Sequence, residues 1–264
     1  VFSMFAETSV KDEGSRRPEG WWYDVARHRA DLMDLAELGA EATRRALSLV
    51  GSKAEKTGEY ACVVENAVAG RLIGGLIGPL SGRAIQQKTS FLADKLDQQV
   101  GCPRLHILDD PFVEKGLGSR SYDSEGMSCK KRPIFDQGVL KNFFLDTYYA
   151  SKLGKEATSG SECNLVFAPG DKDLAALLST MDRGIFITGF SGGNSNAATG
   201  DFSVGVRGHW VEKGQLVRPV TEMNLSGNHL RLWKKLAELG SDVNRRSSWR
   251  CPSLRFDAVQ FSGA

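Results

Sequence analysis

At about residue 103 of this 264-residue chain, the spacing of apolar side chains changes from helical to alternating. Upstream, Leu32, Leu35, Ala36, Leu38, Ala42, Ala46, Leu47 and Leu49 recur near helical spacing. They predict an amphipathic helix over 29–50, with Gly51 as its stop. Residues 65–100 carry a second, longer helical pattern, interrupted by glycines and by Pro79. Each glycine there weakens a helix by roughly 1 kcal/mol against alanine, so the segment predicts close packing against a partner surface or a break near Gly78. Downstream, period-two runs predict strands at 104–108, 134–136, 138–145, 164–167, 184–190, 202–211, 216–218 and 254–261. FDQGVLKNF and HWVEKGQLV each set a short glycine-bearing turn between apolar runs, the mark of a β-hairpin. Only 171–182 and 226–239 read as helices in this half, with Gly170 or Asp171 and Ser226 as their caps. Two further strands are expected at 1–10 and 59–64, and Trp21, Trp22 and Tyr23 as an aromatic anchor. Helices gathered first and strands afterwards give an α+β fold, with N-terminal helices packed on a large, mainly antiparallel β domain.

Composition excludes several classes. Apolar residues at 41% and charged residues at 25% are those of a folded globular chain. No run approaches the ~20 apolar residues of a membrane helix, and VFSMFAETSV has no basic start or apolar core of a signal peptide. A net charge of +2 gives no footprint for direct nucleic-acid binding. The five widely spaced cysteines, without a C-x-x-C, read as reduced thiols of a cytoplasmic protein. The chain lacks an initiator Met and opens as if a strand were already under way, which reads as a piece of a longer protein.

Catalytic signals are sparse. His28, His106, His209 and His229 are isolated, with no H-E-x-x-H pair. No nucleophile elbow and no phosphate-binding loop is present. The most unusual stretch is TGFSGGNSNAATGDFS (188–203). Its glycines let backbone approach another chain, and its short polar side chains offer donors and acceptors. Gly189, Phe190, Gly192, Gly193, Asn194, Asn196, Thr199 and Asp201 are therefore expected to bind a peptide or a partner subunit. A self-bonded loop bridging two strands is the competing reading.

Several segments in succession carry a resemblance: GRLIGGLIGPLSGRAIQQKTSFLADKLDQQV (70–100), LDDP (108–111), GLGSRSYDSEGM (116–127), RPIFDQGVLKNFFLDTYYASKLG (132–154), GIFITGFSGGNSNAATGDFSVGVRGHWVEKGQLVRPVTEMNLSGNHL (184–230) and SSWRCPSLRFDAVQFSGA (247–264). In this order they resemble the TldD/PmbA family, and within it the TldE (PmbA) branch. The resemblance implies the family's C-terminal β-rich domain over 51–264, a remnant of the upstream or linking region over 1–50, and an N-terminal domain lying upstream of Val1. TldD-branch members are metalloproteases with H-E-x-x-x-H on a helix and a later Cys ligand. The matching stretch here is Val64-Glu65-Asn66-Ala67-Val68-Ala69-Gly70, in which only Glu65 keeps the pattern. Valine and alanine have no lone pair for zinc, and the neighbours of Cys251 match the family's terminal strand rather than its metal-binding loop. The resemblance thus implies a noncatalytic TldE-like subunit without its own metal or cofactor, zinc being expected only in a TldD-like partner. Such a subunit would form a heterodimer with that partner, or a homodimer, and act on peptides. The family's naming as modulator of DNA gyrase suggests gyrase as a further partner. A self-contained hydrolase with an unrecognised site and a homo-oligomeric peptide binder are the alternatives.

Overall fold

A computed structural model describes residues 1–264. The chain opens with a hairpin of β1 (Phe2–Ser9) and β2 (Glu19–Ala26), paired antiparallel from Phe2 opposite Ala26 to Ser9 opposite Glu19. The expected aromatic anchor is the middle of β2. Helix α1 (Leu35–Leu47) lies across this hairpin, and a separate short 3-10 turn spans Arg29–Asp31. The helix expected over 29–50 begins later because the Asp34 side chain accepts from the amide of Ala36 and fixes the first turn. Leu38, Ala42 and Trp22 form a small buried cluster. Gly20 makes the contact possible: a Cβ there would collide with the α1 backbone at Ala42 and Ala46.

Strand β3 (Gly58–Val64) leads into α2 (Gly70–Ile77), a 3-10 turn at Gly78–Leu80 and α3 (Gly82–Gln86). The long helix pattern over 65–100 is thus broken. Pro79 has no amide hydrogen to donate and Ser81 is extended, its hydroxyl capping α3. Residues 88–106 run as turns.

The second half supplies β4 (Ile107–Asp109), β5 (Arg132–Asp136), β6 (Val139–Leu140), helix α4 (Thr147–Leu153), β7 (Leu165–Phe167), helix α5 (Leu174–Ser179), β8 (Arg183–Ser195), β9 (Asp201–Glu212), β10 (Gln215–Asn228), helix α6 (His229–Leu232), β11 (Leu236–Leu239), β12 (Trp249–Arg250) and β13 (Leu254–Ser262). Both predicted hairpin turns form, with positive φ at Gln137 and Gly138 and at Lys213 and Gly214. Helix α4 was not expected; Asp146 caps it and Gly154 ends it in the left-handed region. Helix α5 is capped by Asp173, two residues beyond Asp171. The helix expected over 226–239 forms only over its middle, as α6 and a 3-10 turn at Trp233–Lys235, with strand on both sides. Ser226 pairs with Ser203 of β9 and with Gln260 of β13, so the sheet ladder takes the backbone groups a cap would have used. One helical turn follows, capped by Asn228.

Two sheets result. The larger runs β10-β9-β8-β3-β13-β11 and curls until β10 also pairs with β13. The smaller runs β12-β7-β4-β5-β6. Pairing is antiparallel except for β3 with β8 and β7 with β12. Alternation sorts β3 cleanly. Cys62 and Val64 join one core of 41 buried residues, together with Leu72, Ile73, Leu76 and Ile77 of α2, while Val63 faces Leu177, Leu178 and Met181 around α5. No helix is long and apolar enough to cross a membrane.

Candidate functional site

Three features meet where β3 runs into α2. The first is the stretch in which a metalloprotease would carry its ligands. Val64 ends β3 and Ala69 precedes α2, and both are fully buried. Between them the amide of Glu65 donates to the carbonyl of Ile187 at 3.0 Å, and the amides of Val68 and Ala69 donate back to the carbonyl of Glu65. The Glu65 carboxylate faces α1, where Arg45 grips it with both terminal guanidinium nitrogens, Nη1 lying 2.8 Å from Oε2, while its Nε donates to Glu41. The same guanidinium stacks 3.9 Å above the Trp22 ring. Burial works against the charge of Arg45, but the hydrogen bonds and charges of Glu65 and Glu41 outweigh it and raise its pKa. A carboxylate held this way is already neutralised and hydrogen-bonded.

The residues present do not fit a zinc ion. Val64 and Ala69 supply no donor atom, Glu65 is committed to Arg45, and no group of three His, Cys, Asp or Glu side chains converges anywhere in the chain. Cys251 is buried, its thiol 3.1 Å from the carbonyl of Pro252, and burial holds its pKa well above the usual thiol range. A polar knot fills the neighbouring space. The Asn66 side chain donates to the carbonyl of Asp242, and the Ser253 hydroxyl donates to Asp242 Oδ2 at 2.7 Å. Asn244 Nδ2 donates to the Tyr23 hydroxyl at 3.1 Å, tying β2 to the same corner.

The second feature is a groove of about 350 Å³ between α2 and the β8–β9 hairpin. Gly70, Gly74, Gly75 and Gly78 line the helix side; Ser195, Ala197, Phe202 and Val204 line the other. His229 forms part of its wall. Its ring lies parallel to Phe91, with centroids 6.0 Å apart, and 4.7 Å from Phe202; its Nδ1 is buried without a partner. Burial pushes its pKa down to about 4, so the ring is neutral at physiological pH.

The third feature is the hairpin itself. What reads in sequence as a loop over 189–201 is largely strand. β8 continues to Ser195, and a bulge between Ser191 and Asn194 is made by Gly192 and Gly193, both at positive φ. Gly189 is buried beneath the Arg207 side chain and Phe190 is half-buried against the core. Gly192, Gly193, Asn194, Asn196, Thr199 and Asp201 are exposed together at the tip. Three of these also make hydrogen bonds, two within the turn and one to the end of β10. Asn196 Oδ1 accepts from the amide of Ala198, Thr199 Oγ1 from the amide of Asp201, and Asp201 Oδ1 from Asn228 Nδ2. Asn194 is in ladder register with Ser203, and its side chain makes no hydrogen bond. Arg71 of α2 donates to the carbonyl of Gly192 at 2.9 Å and the amide of Phe91 to that of Ala197 at 2.9 Å, so the tip is moored to the helix side of the groove. Arg45 and His229 carry no sequence signal of their roles: each acts on a segment distant in the chain.

A family model for the PmbA/TldA metallopeptidase C-terminal domain matches residues 57–263. Metalloprotease PmbA of Escherichia coli O157:H7 is 31% identical over 256 residues, covering 96% of this chain and 57% of its own length. A PmbA homologue from Buchnera aphidicola is 30% identical over 99% of this chain and 59% of its own length. Among solved structures, a Bacteroides thetaiotaomicron protein described as a candidate modulator of DNA gyrase superposes with a TM-score of 0.96 at 42% identity, covering 99% of this chain and 60% of that one. TldE of Thermococcus kodakarensis shares the fold, with a TM-score of 0.88 at 23% identity. The chain therefore spans less than two thirds of the length of these relatives, and it belongs to the PmbA/TldA metallopeptidase C-terminal domain family.

Proposed function

We propose that this chain acts as a noncatalytic, TldE-like subunit of a heteromeric peptidase complex, binding peptide and supporting a TldD-like catalytic partner in the cytoplasm. The observation that carries the reading is the state of the ligand stretch. Val64 and Ala69 stand at the two histidine positions, and the remaining Glu65 is locked to Arg45 and removed from general-base work. The rest of the fold around α2 is retained, which fits a subunit whose surface rather than whose chemistry is used. The exposed hairpin tip, with the free Asn194 side chain, is the proposed peptide or partner contact. Its backbone is positioned at a sheet rim, where an extended chain can pair through main-chain hydrogen bonds.

The test is co-purification and assay. The chain expressed alone should carry no stoichiometric zinc and cleave no unstructured peptide. Expressed with an H-E-x-x-x-H family member, it should co-elute with it and raise its peptidase rate. One tightly held zinc per chain, or full peptidase activity without a partner, overturns the reading. Asn194→Ala should weaken the association without moving the melting temperature. Asn196→Ala removes a turn hydrogen bond as well and should lower both.

A further inference from the structure

A cleft of about 600 Å³ opens along the seam between the N-terminal hairpin and the rest of the chain. Its walls come from β2, residues 27–33, the loop at 114–117 and the segment leading into β12. The charges on these walls do not cancel. Asp24 is paired with Arg246 at 2.9 Å, and Asp31 with Lys115 at 2.8 Å. Glu114 lies beside Lys115 and reinforces its charge. Arg27 donates to the carbonyls of Gly116, Leu117 and Ser119 at 2.9 to 3.0 Å, which holds its guanidinium in place without meeting a carboxylate. Arg245 and Arg250, also on the walls, have no acid and no hydrogen-bond partner. Arg250 sits on β12, fixed by its parallel pairing with Val166 of β7, and is half-buried. Burial and the neighbouring charge of Arg245 both work against its protonated form.

Arg250 is half-buried and Arg245 exposed on the same walls, and an anion joining them would relieve both the burial of Arg250 and its repulsion by Arg245. We propose that this cleft is a binding site for the carboxylate of a peptide, with the guanidinium groups of Arg245 and Arg250 as its anion partners. The assignment rests on the peptide-binding reading above and names the chemistry of the peptide. Guanidinium presents a planar fork that matches one carboxylate. The three acids on the same walls oppose a string of phosphates, so a nucleic-acid backbone is the poorer occupant.

The test uses the 264-residue chain and alanine-rich pentapeptides carrying a neutral BODIPY dye at the N-terminus, followed by fluorescence anisotropy. One peptide has a free C-terminal carboxylate, one is its C-terminal amide, and one is the amide with a single internal Glu. The free-acid or the Glu peptide should bind at least about tenfold more tightly than the neutral amide, and whichever does identifies the source of the carboxylate. Arg245→Gln with Arg250→Gln should abolish that preference at an unchanged melting temperature, since neither side chain has a partner to lose. Arg250→Lys should keep part of it. Equal binding of all three peptides overturns the carboxylate site but leaves peptide binding standing. No binding of any peptide overturns both. Displacement by inorganic phosphate or a short single-stranded oligonucleotide at concentrations where acetate has no effect overturns the assignment in favour of a phosphate ligand.

Discussion

Arg45 of α1 and Glu65 at the entry to α2 form a two-pronged ion pair across the seam that joins the N-terminal unit to the β-rich body, with side chains only 13% and 12% exposed. The Glu65 carboxylate thereby anchors a helix 20 residues upstream. Removing one partner leaves a buried charge alone. Arg45→Met should therefore lower the unfolding free energy by about 3 kcal/mol, read from urea melts. Arg45→Met with Glu65→Met should recover most of that loss, because two apolar side chains then face each other. A double variant as unstable as the sum of the two singles would show that the residues do not act as a pair.

Adjacent glycines of α2 should respond in opposite ways to alanine. A Cβ at Gly75 would collide with the imidazole of His229, whereas a Cβ at Gly74 would meet the Trp249 ring at 3.6 Å, an ordinary contact. Gly75→Ala should destabilise by roughly 1–3 kcal/mol through overpacking. Gly74→Ala should be neutral or stabilising by up to about 1 kcal/mol, the gain in helix propensity. Thermal melts of the two variants side by side check this.

The contrast shows where sequence reading succeeds and where it stops. Most strands of the second half and both hairpin turns are legible because alternation and turn glycines act locally, although the run expected over 138–145 pairs as a strand only at Val139–Leu140 and β10 extends far beyond 216–218. The poor helix propensity of 70–78 calls for a packing partner. The partner itself, His229, is not legible, being 154 residues away from Gly75 in the chain. The helix expected over 226–239 starts three residues late for a related reason: β9 and β13 recruit Ser226 into two ladders, a tertiary demand that overrides local capping chemistry. The loop over 189–201 is recognisable as unusual, but its glycines make a bulge in a long hairpin rather than end a strand. The missing histidines at Val64 and Ala69 can be read directly. That Glu65 is neutralised by Arg45 cannot be read, since it needs the placement of α1.

All five cysteines are free thiols. Burial pushes Cys62 up to about 12 and Cys163 up to about 11, and holds Cys251 well above the ordinary thiol value. Only Cys102 is half-exposed. A thiolate-selective reagent at pH 8 should label Cys102 first, with Cys62 and Cys251 reacting only on unfolding. Cys102→Ser should remove the fast phase. A fast phase that survives in this variant would mean that one of the buried thiols is accessible.

Stability should fall on mild acidification, and His229 sets much of that slope. Its folded pKa is about 4 against an ordinary 6.5, because burial between Phe91 and Phe202 opposes the charged ring. The folded state therefore binds fewer protons than the unfolded chain between these two values. The contribution is fully present above pH 6.5 and is lost progressively as pH falls toward 4, a change of about 3 kcal/mol. His209, also lowered chiefly by burial, works in the same direction. The aspartates whose pKa values are depressed, such as Asp110 and Asp123, lose their contribution only as pH falls below about 3.8, so the windows separate. Urea melts of the native chain and of His229→Phe at pH 7.5, 6.0, 5.0 and 4.5 isolate the effect. The two curves should diverge at neutral pH only by a constant, and the variant should lose markedly less stability between pH 6.5 and 4.5. Parallel curves across that window would mean that the imidazole titrates at its ordinary value, which requires water to reach it through the groove beside Gly75.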